Sequence, residues 1–181
     1  MLVHLRRAIV VSIVLFVVCG LAYPALETGI GQLLLRNQAN GSLVTANNEV
    51  VGSSLAGQHW TGPNWFQGRP DPDNPMATGS QNYGPRSKLL LHFSRSELVL
   101  LRHEGITPTS DLVTGSASGI DPDISPADAY AQVSAVAAAD HLPVTAVRHL
   151  VATHMAGAEF GFFGAPYVDV LELNIALSQL R

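Results

Sequence analysis

The residues with the most chemical potential lie in one short loop, Gly115-Ser116-Ala117-Ser118-Gly119. A nucleophile elbow needs serine at the centre of such a Gly-x-Ser-x-Gly frame, and Ala117 stands there instead. A hydrolase triad therefore loses its anchor. Two other uses stay open. Backbone N–H groups with the hydroxyls of Ser116 and Ser118 could cradle an anion ahead of a capped helix. The same residues also suit a structural turn, with Gly115 and Gly119 giving backbone freedom. Asp121 and Asp123 follow at once and would oppose a phosphate.

The remaining candidate chemistry is thinner. Asp71-x-Asp73 and Asp121-x-Asp123 have the spacing that opens a calcium loop. Prolines 72, 75 and 122 interrupt both, and the later ligands are missing. They read as solvated acidic turns. His149 and His154 are five positions apart, so they fall on different helix faces, and no His-Glu-x-x-His occurs. No metal site is expected. Gly29-x-Gly31 is followed by Leu34 where a dinucleotide fingerprint needs glycine. Lys88 is the sole lysine and does not follow glycine, which excludes a Walker A loop. The Asp-Lys-Thr-Gly phosphorylation motif of a P-type ATPase is absent. The chain is expected to carry no catalytic site of its own.

Composition narrows the partners. Fourteen acidic residues against ten basic ones leave a net charge of −4. With no basic cluster and no aromatic platform interleaved with arginine, nucleic-acid binding is not expected. Cys19 is the single cysteine, so there is no internal disulfide and no cysteine-based zinc site.

The elements that would position these residues begin with an anchor. Residues 8–21, AIVVSIVLFVVCGL, form an almost unbroken apolar run, and no Asp, Glu, Lys or Arg occurs from residue 8 to residue 26. A spanning helix needs ~20 mostly apolar residues. Pro24 is expected to kink it near the interface, with residues 28–36 continuing along the membrane surface. Arg6 and Arg7 precede the span and only Arg36 closely follows it. The positive-inside rule then puts the N-terminus (residues 1–7) in the cytoplasm and everything after residue 35 outside. A cleaved signal peptide is the competing reading, since Gly20-Leu21-Ala22 has a small-x-small pattern. Pro24 and the continuing apolar character weigh against it.

Residues 36–181 form one soluble domain of the α+β class, helix-rich with few short strands. Residues 37–42 read as the linker leaving the membrane. Residues 43–55 read as two strands around Asn47-Asn48, and residues 57–85 as a long Gly/Pro-rich loop. Trp60, Trp65, Phe66 and Tyr83 argue that this loop is ordered. Trp65, Phe66 and Arg69 are the candidates for docking it on a partner or on the domain's own core. Helices are expected at 87–103, 126–140, 143–155 and 173–180, and short strands at 111–113 and 167–171. Ser125, Pro126 and Asp128 form a helix-start signature. Residues 157–164 are a loop with exposed aromatics.

Several ordered motifs resemble one family, the C subunit of the Kdp potassium-transporting P-type ATPase. Gly52-Ser53-Ser54-Leu55-Ala56-Gly57-Gln58 and Trp65-Phe66-Gln67-Gly68-Arg69-Pro70 are similar to two of its signatures, as is Gly79-Ser80-Gln81-Asn82. So are the segment from Leu112 to Pro122, the helix start at Ile124-Ser125-Pro126, and the terminus from Gly164 to Leu177. Nearly the whole chain is covered. The chain departs from the family at Asp71, where serine is usual, at Asp169, where asparagine is usual, and at Ala135 and Asp140, where arginines are usual. The resemblance implies an accessory, non-catalytic subunit in the bacterial inner membrane. Its implied partners are a separate ATP-hydrolysing subunit and a channel-like potassium-binding subunit, with potassium as the cargo. It also implies a catalytic-chaperone role in which Ser116, Ser118 and Gly119 touch ATP. Arg6 and Arg7 oppose that contact, because they place these residues outside whereas ATP is cytoplasmic. A stand-alone membrane-anchored binding protein, or an enzyme of unrecognised type, is the alternative.

Overall fold

A computed structural model describes residues 2–70, 79, 82–116, 118–158 and 160–181. Asp71, Asp73, Ser80, Gln81 and Ala117 lie outside the described residues. The chain divides into two compact units, residues 1–43 and 44–181.

The first unit is dominated by one helical rod, Leu2–Leu34, long and apolar enough to cross a membrane. It consists of α1 (Leu2–Val17), a π-helical turn (Val18–Ala22) and α2 (Tyr23–Leu34). Pro24 explains the middle piece. Proline has no N–H to donate, and its ring collides with the carbonyl four residues back. The wider π turn precedes it, and the Tyr23 N–H donates to the Val18 carbonyl five residues back. The helix therefore passes through Pro24 rather than ending there. The polar segment expected as a linker begins as one further helical turn, α3 (Arg36–Ala39). The Asn40 side chain closes it by donating to the Arg36 carbonyl at 2.7 Å.

After α3 comes a hairpin of β1 (Leu43–Ala46) and β2 (Glu49–Ser53). Asn47 and Asn48 have φ of 50° and 68°, the two left-handed positions of a type I′ turn. α4 (Lys88–His103) starts at Ser87, whose hydroxyl accepts from the Leu90 N–H. It ends at Gly105 (φ +76°). There the Ile106 N–H donates to Leu101 and the Gly105 N–H to Arg102. Leu101 and Ile106 then pack with Leu112, and Ala135 lies against this cluster.

Three helices carry the main core: α5 (Pro126–Ala139), α6 (Val144–Thr153) and α7 (Val170–Ser178). With them sits an antiparallel sheet of order β3 (Asp123–Ile124), β5 (Tyr167–Asp169), β4 (Met155–Ala156). Val133, Val136, Val147, Val151, Val168, Leu173 and Leu177 fill the interior. Phe66, from the irregular segment after β2, is buried among them.

The segment 111–113 is not the expected strand but a 3₁₀ turn, Asp111–Val113. The Leu112 N–H donates to the Thr109 hydroxyl oxygen and the Val113 N–H to the Ser110 carbonyl. These local bonds outcompete strand pairing. The last strand ends at Asp169, two residues earlier than expected. Its carboxylate accepts the Glu172 N–H at 2.8 Å and starts α7 there.

Candidate functional site

Two buried amide side chains organise the region around the Gly/Ser loop. Asn174 on α7 accepts the Phe66 N–H at 2.9 Å and donates to the Phe66 carbonyl at 2.9 Å. Gln132 on α5 does the same for Gln67, at 2.7 and 3.0 Å. Both amides are fully buried. An amide side chain carries one donor and one acceptor group, so each can replace a missing strand partner for one residue. The sequence reading missed them. The available signal was a polar amide among the mostly apolar buried positions of each helix.

This clamp fixes the segment that carries Arg69. The Arg69 guanidinium donates to the Gly115 carbonyl at 2.9 Å and lies 3.7 Å from the Asp121 carboxylate. The loop's own bonds do the rest. The Ser116 hydroxyl oxygen accepts the Gly119 N–H at 2.9 Å, and that of Ser118 accepts the Ile120 N–H at 3.2 Å. The two hydroxyls are 3.3 Å apart. The Gly79 N–H donates to the Ser118 carbonyl and the Gly57 N–H to the Ile120 carbonyl. At Gly57 a Cβ would sit 2.4 Å from the Asp121 carbonyl oxygen, so only glycine allows this approach. The Gly119 and Ile120 N–H groups are thus engaged by the loop's own serines.

Beside it opens a cavity of about 380 Å³. Arg69, Ser116 and Asp121 line one side, and Glu97 and Glu104 of α4 line another. The Gln67 amide donates to the Glu104 carboxylate at 2.6 Å. Burial, then the neighbouring Glu104 charge, raises the Glu97 carboxyl, and His59 partly offsets this. Three carboxylates against one arginine disfavour a phosphate there. Among the described residues no group of His, Cys, Asp or Glu is arranged to hold a metal ion.

The other sequence candidates lie elsewhere. Trp65 stacks under the Arg181 guanidinium, 4.0 Å from its ring centroid, and meets Trp60 at 4.9 Å. Arg181 is held in turn by Asp140 at 2.8 Å and by the Asn64 carbonyl. Phe66 points into the core. Arg69 alone of the three reaches the Gly/Ser loop. Arg6 and Arg7 are exposed near the start of α1.

A second acidic group surrounds the sheet. Asp123 and Asp169 stand directly opposite each other on β3 and β5. Burial, then the charges of Asp169, Asp121 and Glu172, pushes the Asp123 carboxyl up to about 6. Burial, with a smaller effect of Glu172, raises Asp169 as well, against the bond from the Glu172 N–H.

The family profile for the K+-transporting ATPase c chain, KdpC, matches residues 5–179. The chain belongs to the KdpC family. A potassium-transporting ATPase KdpC subunit of Gemmatimonas aurantiaca is 46% identical over 189 residues, covering 99% of this chain and 94% of the relative. Its counterpart in Nitratidesulfovibrio vulgaris is 44% identical, with 99% and 96% covered. That of Acidobacterium capsulatum is 39% identical, with 98% and 99% covered. KdpC proteins are similar to this chain along its whole length, the apolar helix included.

Proposed function

We propose that this chain is an accessory, non-catalytic subunit of an ATP-driven potassium importer and acts from the outer side of the cell membrane. The helix Leu2–Leu34 anchors it, and Arg6 and Arg7 hold its N-terminus in the cytoplasm. Residues 44–181 then work outside. They help to hold the ATP-hydrolysing subunit and the channel-like potassium-binding subunit in one complex. Potassium is the cargo.

One observation carries the choice between assembly and direct ATP contact. The Gly119 and Ile120 N–H groups are bonded to the Ser116 and Ser118 hydroxyl oxygens, which supports a structural role for these serines. N–H groups engaged in this way are not free to bind a phosphate. The acidic lining of the adjacent cavity supports the same reading. An effect on ATP affinity would then be transmitted through the assembly rather than by contact.

Affinity purification of the tagged chain in mild detergent tests this. The expected result is co-purification of a potassium-stimulated ATPase. Substituting Ser116→Ala and Ser118→Ala together should leave the apparent KM for ATP of that complex unchanged. A several-fold rise in that KM with the complex intact would restore direct ATP contact.

A further inference from the structure

The feature not absorbed by this reading is the loop joining β4 to β5, residues 157–166. Its base is closed by the pairing of Ala156 with Tyr167. At its tip Phe160, Phe162 and Phe163 are 89%, 77% and 67% exposed. The rings of Phe162 and Phe163 already meet edge to face, 5.6 Å between centroids. Phe160 takes φ +52°, and a turn bond from the Gly161 N–H to the Ala158 carbonyl shapes the backbone behind it. Val168, Val170 and Leu173, which follow the loop in sequence, are all buried in the core. Soluble surfaces rarely hold three adjacent aromatics in water without a use for them.

The charge pattern selects the occupant. No lysine or arginine occurs from residue 149 to residue 180, whereas Glu159, Asp169 and Glu172 do. Loops that enter an anionic lipid surface pair their apolar residues with Lys or Arg. Protein interface centres instead combine aromatics with a scarcity of lysine. The chain also belongs to a family of ATPase subunits.

We propose that this loop docks the chain on a companion subunit of the potassium-transporting ATPase, with Phe162 and Phe163 entering an apolar groove there. The proposal rests on the assembly reading above.

The test uses the full chain with Cys19→Ser and a reporter, Ala165→Cys, at an exposed position beside the phenylalanines. A bulky water-soluble maleimide is applied to three samples. These are the chain alone in detergent, the chain alone in phosphatidylethanolamine/phosphatidylglycerol vesicles, and the purified complex. Labelling should slow at least ten-fold in the complex only. Phe162→Ser with Phe163→Ser should cut retention of the chain on the purified ATPase at least ten-fold and leave its own melting point unchanged. Equally fast labelling in the complex overturns the proposal, and so does protection by vesicles alone, which would make the loop a lipid site. If the parent chain fails to co-purify at all, the assembly reading fails first and this proposal falls with it. Co-purification with an unprotected reporter rejects this proposal alone.

Discussion

Asp169 faces Asp123 directly across the sheet. The consequence is a pH dependence with a definite sign. An Asp123 carboxyl raised from 3.8 to about 6 binds its proton more tightly in the folded chain than in the unfolded one. The stability this gives is fully present below about pH 4 and is lost as pH rises through about 6. The full-length chain in detergent should therefore melt higher at pH 5 than at pH 7. Asp169→Asn keeps the helix cap, since asparagine also caps well. It should raise the melting point at pH 7 and flatten the acid-side rise. An unchanged pH profile in Asp169→Asn would mean that this pair does not set it. At Asn174 the effect is larger. Asn174→Ala leaves the buried N–H and carbonyl of Phe66 without partners. At about 1–3 kcal/mol for each orphaned group, the cost is roughly 2–6 kcal/mol, read by denaturant unfolding. A cost below about 1 kcal/mol would show that the amide clamp is dispensable. Arg69 acts in the same region. Arg69→Ala removes the donor to Gly115 and the counter-ion of Asp121, both part-exposed contacts, so a loss of about 1 kcal/mol is expected. Lysine should not restore it, because one ammonium cannot serve both acceptors in the fork geometry.

Helix α5 depends on its cap. The Ser125 hydroxyl accepts the Asp128 N–H at 3.2 Å, and the Asp128 carboxylate accepts the Ser125 N–H at 3.3 Å. Asp128 also accepts the Thr109 hydroxyl, which ties the 3₁₀ turn to the helix start. Ser125→Ala should cost ~0.5–2 kcal/mol in chemical unfolding, and an unchanged midpoint would remove Ser125 from this role. This box was legible in the sequence because its parts are three residues apart. The Asn47-Asn48 turn and the Gly105 stop were legible for the same reason. What escaped was either too short or too distant. β3 and β4 have two residues each, and no alternation can appear in two residues. The amides of Gln132 and Asn174 meet partners 65 and 108 positions away. No local pattern encodes that. The Gly/Ser loop was visible as a motif, but its closure by Ser116 and Ser118 and its pinning by Arg69 appear only in three dimensions.

For the whole molecule, anchor and domain lead to one account. Among the described residues one helix is long and apolar enough to cross a membrane, Pro24 within it is accommodated by a π turn, and residues 44–181 form a second compact unit of helices and short strands. Membership of the KdpC family places it in a potassium-transporting ATPase. Sidedness then separates an assembly role outside the cell from ATP contact in the cytoplasm. The most direct measurement is labelling of a Cys19→Ser, Thr61→Cys chain with a membrane-impermeant thiol reagent, since Thr61 is exposed in the segment after β2. In intact cells, with the outer membrane permeabilised where one is present, the account predicts full labelling before lysis. Labelling only after lysis would place residues 44–181 in the cytoplasm and contradict it.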